Sequence, residues 1–283
     1  MNSLLLENRY RLSWNEYGAT DGEPVFYFHG MPGSRLEASP ADGIARDLGI
    51  RLIAPERPGY GDSDAQDDFG LLDWADAVSL LTDNLNLKQF SILGFSAGGP
   101  YALACGHKMT EQIKHITLVS STAPFETVVM QQHINAAFKP IYELAAADTQ
   151  AAAQQLSQLA SSPEALFEVM HSQLPPCDKS IFSQTQFRKH YTENLARALQ
   201  QGVEGTVNDF RNLALAWQFN PEDVHVSVDV WHGRNDNNCG IAVGEHLAKA
   251  LDTASTHFLA DKGHFFLFEQ WNEVLVNLKR QAA

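Results

Sequence analysis

The 283-residue chain has little of several things that would assign it to large classes of protein. Cysteine is scarce: Cys105, Cys177 and Cys239 are an odd number at spacings that fit neither a zinc ribbon nor a disulfide framework. A metal-stapled or disulfide-stapled scaffold is therefore not expected, and a reducing cytoplasm is the simplest location. Positive charge is also short, with 20 Lys and Arg against 34 Asp and Glu and a formal net charge of −14. Nucleic acid and anionic membranes call for a basic surface, so neither is an expected partner. No run approaches the roughly 20 apolar residues of a membrane span. Near the amino end Leu4-Leu5-Leu6 is followed by Glu7, too short a run for a signal peptide, so a cytoplasmic protein is expected. No G-x-G-x-x-G opens a helix, and Asn235-Asp236-Asn237-Asn238 lacks the alternating ligands of a calcium loop. No cofactor and no metal are implied, which leaves a small-molecule substrate as the expected partner.

What is present is a globular composition, 44% hydrophobic and 19% charged. The first 120 residues alternate strand-like and helix-like segments, the pattern of a parallel sheet with crossover helices. Strands are predicted at Pro24–Phe28, Ile50–Ala54, Phe90–Leu93 and Ile116–Val119. Trp74, Val78, Leu81 and Leu85 recur at helical spacing between Asp73 and Leu87, and Ala97–His107 reads as the next helix. From Pro124 to about Asn220 strand signals vanish, and helix starts stand at Asp148 and at Ser162-Pro163-Glu164. Strands return at Val226–Trp231 and Ala254–Leu259, and Phe268, Trp271, Leu275 and Leu278 mark a terminal helix. The run of Asp62, Asp64, Asp67, Asp68, Asp73, Asp76 and Asp83, uninterrupted by a base, reads as a solvated loop and helix face.

Gly94-Phe95-Ser96-Ala97-Gly98-Gly99 lies between a predicted strand and a predicted helix. A serine on so sharp a turn, a nucleophile elbow, takes strained backbone angles and needs tiny neighbours, which Gly94 and Gly98 supply. The following helix points free N–H groups at negative charge forming beside Ser96. A serine hydroxyl needs a base, and the base needs an acid to orient it. Among eleven histidines, His264 sits in a glycine-containing loop after the last predicted strand, at the edge where open α/β sheets place their sites. Asp236, directly after the strand before it, is the acid by position, whereas Asp229 and Asp252 read as structural or solvated. His29 and His232 read as loop anchors. Backbone donors of an oxyanion hole are expected from Ala97 and from the His29–Ser34 loop, where Met31 is the candidate because Pro32 has no N–H.

Taken in order, His29-Gly30-Met31-Pro32-Gly33-Ser34, Arg57-Pro58-Gly59-Tyr60-Gly61-Asp62-Ser63, Gly94–Gly99, Trp231–Asp236 and Gly263-His264 resemble the serine α/β-hydrolase family. The pairing of HGxPGSR with GxSAGGPYALA is similar to bacterial members without a well-defined substrate. The resemblance implies an α/β fold with an eight-stranded, mostly parallel sheet flanked by helices, formed by residues 1–122 and 221–283. Residues 123–220 would then be a helical cap. It implies Ser96, Asp236 and His264 as a catalytic triad acting on an ester, thioester, amide or carbon–carbon bond, a carboxylesterase-like hydrolase. Dehalogenases and epoxide hydrolases of similar architecture carry aspartate at the nucleophile, against which Ser96 argues. Two positions depart from the pattern: Glu56 stands where relatives have aspartate, and Asn237-Asn238-Cys239 replaces a usual Val-Pro.

Met31, Phe95 and Phe265 flank the reactive residues, and Phe138, Phe210, Trp217 and Phe219 fall in the cap, so an apolar acyl or aryl pocket is expected. Two other readings compete with a hydrolase: a non-catalytic ligand receptor or scaffold on the same fold, and an acyltransferase or lyase. The cap helices leave a homodimer open.

Overall fold

The computed structural model describes residues 2–6 and 9–282. Its sheet has eight strands: β1 (Asn2–Leu5), β2 (Arg11–Gly18), β3 (Glu23–Phe28), β4 (Ile50–Pro55), β5 (Phe90–Phe95), β6 (Ile113–Val119), β7 (Val228–Gly233) and β8 (Ala254–Leu259), in the order β1-β2-β4-β3-β5-β6-β7-β8. From β4 to β8 all pairs are parallel. The central strands are apolar runs buried on both faces, the signature of a parallel sheet covered by helices: every residue of β5 and β7 is buried. The edge strands β1 and β2 pair antiparallel, and β2 pairs antiparallel with β4. Their mixed composition, Arg11-Leu12-Ser13-Trp14-Asn15-Glu16, gave no strong strand signal, because burial of β2 is confined to Leu12–Trp14.

Helices α1 (Asp42–Asp47), α2 (Leu71–Asn84) and α3 (Gly98–Lys108) follow β3, β4 and β5. The apolar stripe read in the sequence is the buried face of α2, with Trp74 and Val78 fully enclosed. Between β6 and β7 the chain forms seven α-helices: α4 (Val128–His133), α5 (Lys139–Ala147), α6 (Thr149–Leu159), α7 (Pro163–Gln173), α8 (Pro176–Phe182), α9 (Thr185–Ala198) and α10 (Glu204–Ala214). Asp148 and Ser162 cap α6 and α7, accepting from the N–H groups of Ala151 and Ala165. The last helices are α11 (Ile241–Ala250) and α12 (Trp271–Ala282).

The inserted helices rest on the sheet domain through both apolar and ionic contacts. Phe182, Phe187 and Tyr191 of the insertion pack around Phe265 and Phe268 of the sheet domain, with Phe182 and Phe265 rings 4.7 Å apart. Arg197 of α9 bonds Glu56 and Asp62 of the loop after β4, and Arg35 bonds the same two carboxylates. Asp62 therefore departs from the solvated stretch read in the sequence: burial works against its charge, but the two guanidiniums hold its pKa down to about 2.

Candidate active site

Ser96 follows β5 and precedes α3 with φ of +52°, a left-handed conformation that a residue with a Cβ adopts at a cost. The turn is tight on both sides. A Cβ on Gly94 would lie 2.7 Å from the Gly98 carbonyl oxygen, and one on Gly98 would lie 2.2 Å from that of Phe28, so only glycine fits. The Ser96 N–H donates to the Val119 carbonyl at 2.8 Å, tying the turn to the neighbouring strand.

His264 brings Nε2 to 2.9 Å from Ser96 Oγ, and its Nδ1 lies 2.8 Å from Asp236 Oδ2. A carboxylate can only accept, so Nδ1 carries the proton and Nε2 is left to accept from the serine hydroxyl. Both Asp236 and His264 are buried. Burial opposes the Asp236 charge, but His264 and His232 beside it hold its carboxyl far below the usual range. Burial likewise disfavours the His264 cation, yet the Asp236 carboxylate outweighs it and raises the imidazole above its ordinary value. The replacement Asn237-Asn238-Cys239 leaves this geometry intact: Asp236 Oδ1 accepts the N–H groups of Asn238 at 2.8 Å and Cys239 at 2.9 Å. His232 does anchor a loop, through Nε2–H to the Cys239 carbonyl at 2.7 Å, and the same nitrogen lies 3.2 Å from Asp236 Oδ2.

A cavity of about 300 Å³ opens on Ser96 and His264 and runs under the inserted helices. Of the residues read as substrate-binding, Met31, Phe95, Phe138, Phe210 and Phe265 line it, as does Ala97. Trp217 does not. It sits in the return segment to β7, its ring 5.6 Å from Phe219, which stacks on His107 of α3. Both side chains are core packing beneath the insertion, since that segment has already left the cavity when it reaches them. Among the described residues, neither the Met31 nor the Ala97 N–H finds an intramolecular acceptor, and both residues face the cavity with Ser96.

Four side chains that hold this machinery were not read from the sequence. Asp178 of α8 accepts the backbone N–H groups of His264 and Phe265. Arg57, fully buried, donates to the carbonyls of His29 and Gly30 and to Asp209 of α10. Glu37 accepts the Gly30 N–H at 2.7 Å and the Tyr27 hydroxyl at 2.9 Å. Arg57 stood inside a recognised motif, but Asp178 and Asp209 lie in helices with no local signal, and only the tertiary fold brings them to the site.

Comparison with known proteins identifies the family of the fold. The family described as alpha/beta hydrolase fold matches residues 23–270. Over 278 residues the chain is 23% identical to a 2-hydroxymuconate semialdehyde hydrolase of Pseudomonas putida, covering 94% of this chain and 88% of the relative. Similar solved structures include an esterase of Exiguobacterium antarcticum, with TM-score 0.76 and 18% identity over 98% of both chains. Another is the enol-lactonase of Burkholderia xenovorans, with TM-score 0.76 and 15% identity over 99% of this chain and 100% of that one. At such identities the solved structures establish the fold, whereas the family match spans most of the sequence: the chain belongs to the alpha/beta hydrolase fold family.

Proposed function

We propose that the protein is a serine hydrolase that cleaves a small, uncharged, largely apolar carboxylic ester through an acyl-enzyme. The observation that carries this reading is the continuous chain Ser96 Oγ, His264 Nε2, His264 Nδ1 and Asp236 Oδ2, with links of 2.9 and 2.8 Å, at the wall of an apolar cavity. Ser96 Oγ attacks the ester carbonyl carbon while its proton passes to His264 Nε2. The carbonyl oxygen becomes an oxyanion beside the free N–H groups of Met31 and Ala97. Collapse of the tetrahedral intermediate breaks the bond to the leaving alkoxide, which takes the proton back from His264. Water then attacks the acyl-Ser96 ester, giving its proton to the same nitrogen, and the second collapse releases the acid and restores Ser96.

The lining argues the substrate class. At about 300 Å³ the cavity lies at the small end of ligand sites, roughly 300 to 1,000 Å³. Its described walls include Ile134, Ile141, Leu156, Leu166, Met170 and Phe210, and no Lys, Arg, Asp or Glu. A charged acyl group would be desolvated there without a counter-ion, at a cost of several kcal/mol on the order of other unpaired buried ions. Carbon–carbon hydrolysis is the second reading, favoured by the relative named for 2-hydroxymuconate semialdehyde. That name denotes a carboxylate, which finds no Lys or Arg among the described walls of this cavity, so the uncharged ester is preferred. The test is a panel of p-nitrophenyl esters of graded chain length beside esters bearing a terminal carboxylate, with fluorophosphonate labelling located by peptide mass. Hydrolysis of the neutral esters and label on Ser96 are expected. An unlabelled Ser96 in folded protein overturns serine catalysis, and preference for the carboxylate-bearing esters overturns the substrate class.

A further inference from the structure

The Gly30–Met31 peptide is gripped from outside the cavity. The Gly30 carbonyl accepts from Arg57 Nη2 at 2.9 Å and from His29 Nδ1 at 2.8 Å, while the His29 carbonyl accepts from Arg57 Nη1 at 2.7 Å. This peptide is trans, and in a trans peptide the carbonyl and the following N–H point to opposite sides of the chain. Holding the Gly30 oxygen against Arg57 therefore turns the Met31 N–H the other way, toward the cavity that Met31 lines together with Ser96.

What fixes Arg57 comes from the inserted helices. Asp209 of α10 takes Arg57 Nε at 3.1 Å on Oδ1 and Nη2 at 2.7 Å on Oδ2, the fork geometry in which a carboxylate sets the plane of a guanidinium. Tyr60 and Tyr101 donate their hydroxyls to the same carboxylate at 2.7 and 2.6 Å. All four side chains are buried. Asp209 does not line the cavity, so it has no contact through which to touch a substrate.

We infer that Asp209, acting through Arg57, is a positioning residue for the Met31 oxyanion donor, so that docking of the inserted helices completes the catalytic machinery of the sheet domain as well as roofing the cavity. The inference rests on the serine-hydrolase reading above. It separates two quantities that a general loss of structure moves together. A displaced donor weakens the tetrahedral oxyanion and leaves the ground-state ester alone, so the loss falls on kcat and on transition-state analogues. Loss of one such donor lowers turnover by about 100- to 1,000-fold, and a donor shifted rather than removed by somewhat less.

The experiment compares wild type with Asp209→Asn in p-nitrophenyl butyrate hydrolysis and in inhibition by an alkyl trifluoromethyl ketone, which adds Ser96 to form an oxyanion without turnover. For Asp209→Asn we expect kcat lower by about 30- to 300-fold, KM within about threefold, and ketone affinity reduced in parallel with kcat. Because that substitution leaves a buried guanidinium without its counter-ion, Tyr101→Phe serves as a milder variant that removes a single hydroxyl from Asp209. It should show the same pattern at about three- to tenfold. Folded Asp209→Asn with kcat and ketone affinity within twofold of wild type overturns the inference, as does a loss confined to KM. If Asp209→Asn does not fold, Tyr101→Phe decides by the same criteria. Wild-type protein that fails to take fluorophosphonate on Ser96 overturns the serine-hydrolase reading and this inference with it. Labelled, active wild type beside an unaffected variant overturns the inference alone.

Discussion

Asp178 Oδ2 accepts the backbone N–H of His264 at 2.8 Å, and its Oδ1 accepts that of Phe265 at 3.0 Å. One carboxylate from α8 thus holds the two amides that follow Gly263, where a Cβ would lie 2.3 Å from Asp178 Oδ2. On the other side the Ser120 hydroxyl donates to the His264 carbonyl at 2.8 Å. The His264 backbone is therefore pinned at both its N–H and its carbonyl, and the imidazole has a fixed origin from which to span Ser96 and Asp236.

Replacing Asp178 by alanine leaves both buried amides without an acceptor, at a typical cost of about 1 to 3 kcal/mol each. Unfolding in urea should register a loss of about 2 to 6 kcal/mol, accompanied by reduced ester turnover. A variant within about 0.5 kcal/mol of wild type would show that the loop keeps its shape without the Asp178 carboxylate.

The conformation of Ser96 predicts a conflict between stability and activity. With φ of +52° the serine carries strain that glycine does not, while glycine adds entropy to the unfolded chain. Ser96→Ala removes the hydroxyl and keeps the strain, whereas Ser96→Gly removes both. Neither should hydrolyse esters, and Ser96→Gly should be as stable as Ser96→Ala or up to about 1 kcal/mol more so. Thermal melts of the pair check this; a glycine variant clearly less stable than the alanine one would mean that the turn is not strained.

The pH dependence follows from the state of His264 required as base, the neutral imidazole. Its pKa stands above the ordinary 6.5, because the Asp236 carboxylate outweighs burial. As pH falls through that raised value His264 becomes protonated, so kcat/KM for neutral esters should be lost on a single limb whose midpoint lies above 6.5. Asp236, held far down, stays ionised throughout this range. In Asp236→Asn burial is left opposed by less negative charge, and the limb should move to lower pH while the plateau drops by about 10,000-fold. A limb that stays in place would deny Asp236 its influence on the imidazole.

How much of this was legible before the fold was seen depends on whether the signal is local. Ser96, Asp236 and His264 each follow a strand inside a short motif, and the parallel sheet delivers all three to one edge. The apolar runs of β3 to β7 were legible for the same reason, since a strand buried on both faces shows in its own composition. Strands β1 and β2 were not, because an antiparallel edge half exposed to solvent mixes polar and apolar residues. Trp217 was misplaced because an aromatic residue in a helical insertion packs equally well against a cavity or against α3, and only the path of the chain decides. Asp178 and Asp209 carry no pattern around them; their partners lie 86 and 152 residues away in sequence.

Glu37 gives the last prediction, because it is an acid titrating next to the base. It is buried with Oε2 on the Gly30 N–H and the Tyr27 hydroxyl, and burial raises its pKa to about 7, the donors notwithstanding. An acid raised in the folded state binds more protons there than in the unfolded chain between about pH 4.5 and 7, so its contribution to stability declines as pH rises through that window. The decline is about 3 kcal/mol in full. Glu37→Gln cannot ionise, so stability measured at pH 5 and pH 8 should differ less in the variant than in wild type. The same charge also raises His264, so its removal should carry the acid limb of kcat/KM to lower pH. Urea unfolding at the two pH values and a pH–rate profile test both halves. If the stability difference persists in Glu37→Gln, the proton is bound elsewhere; if only the limb stays fixed, Glu37 shapes the oxyanion loop without reaching the base.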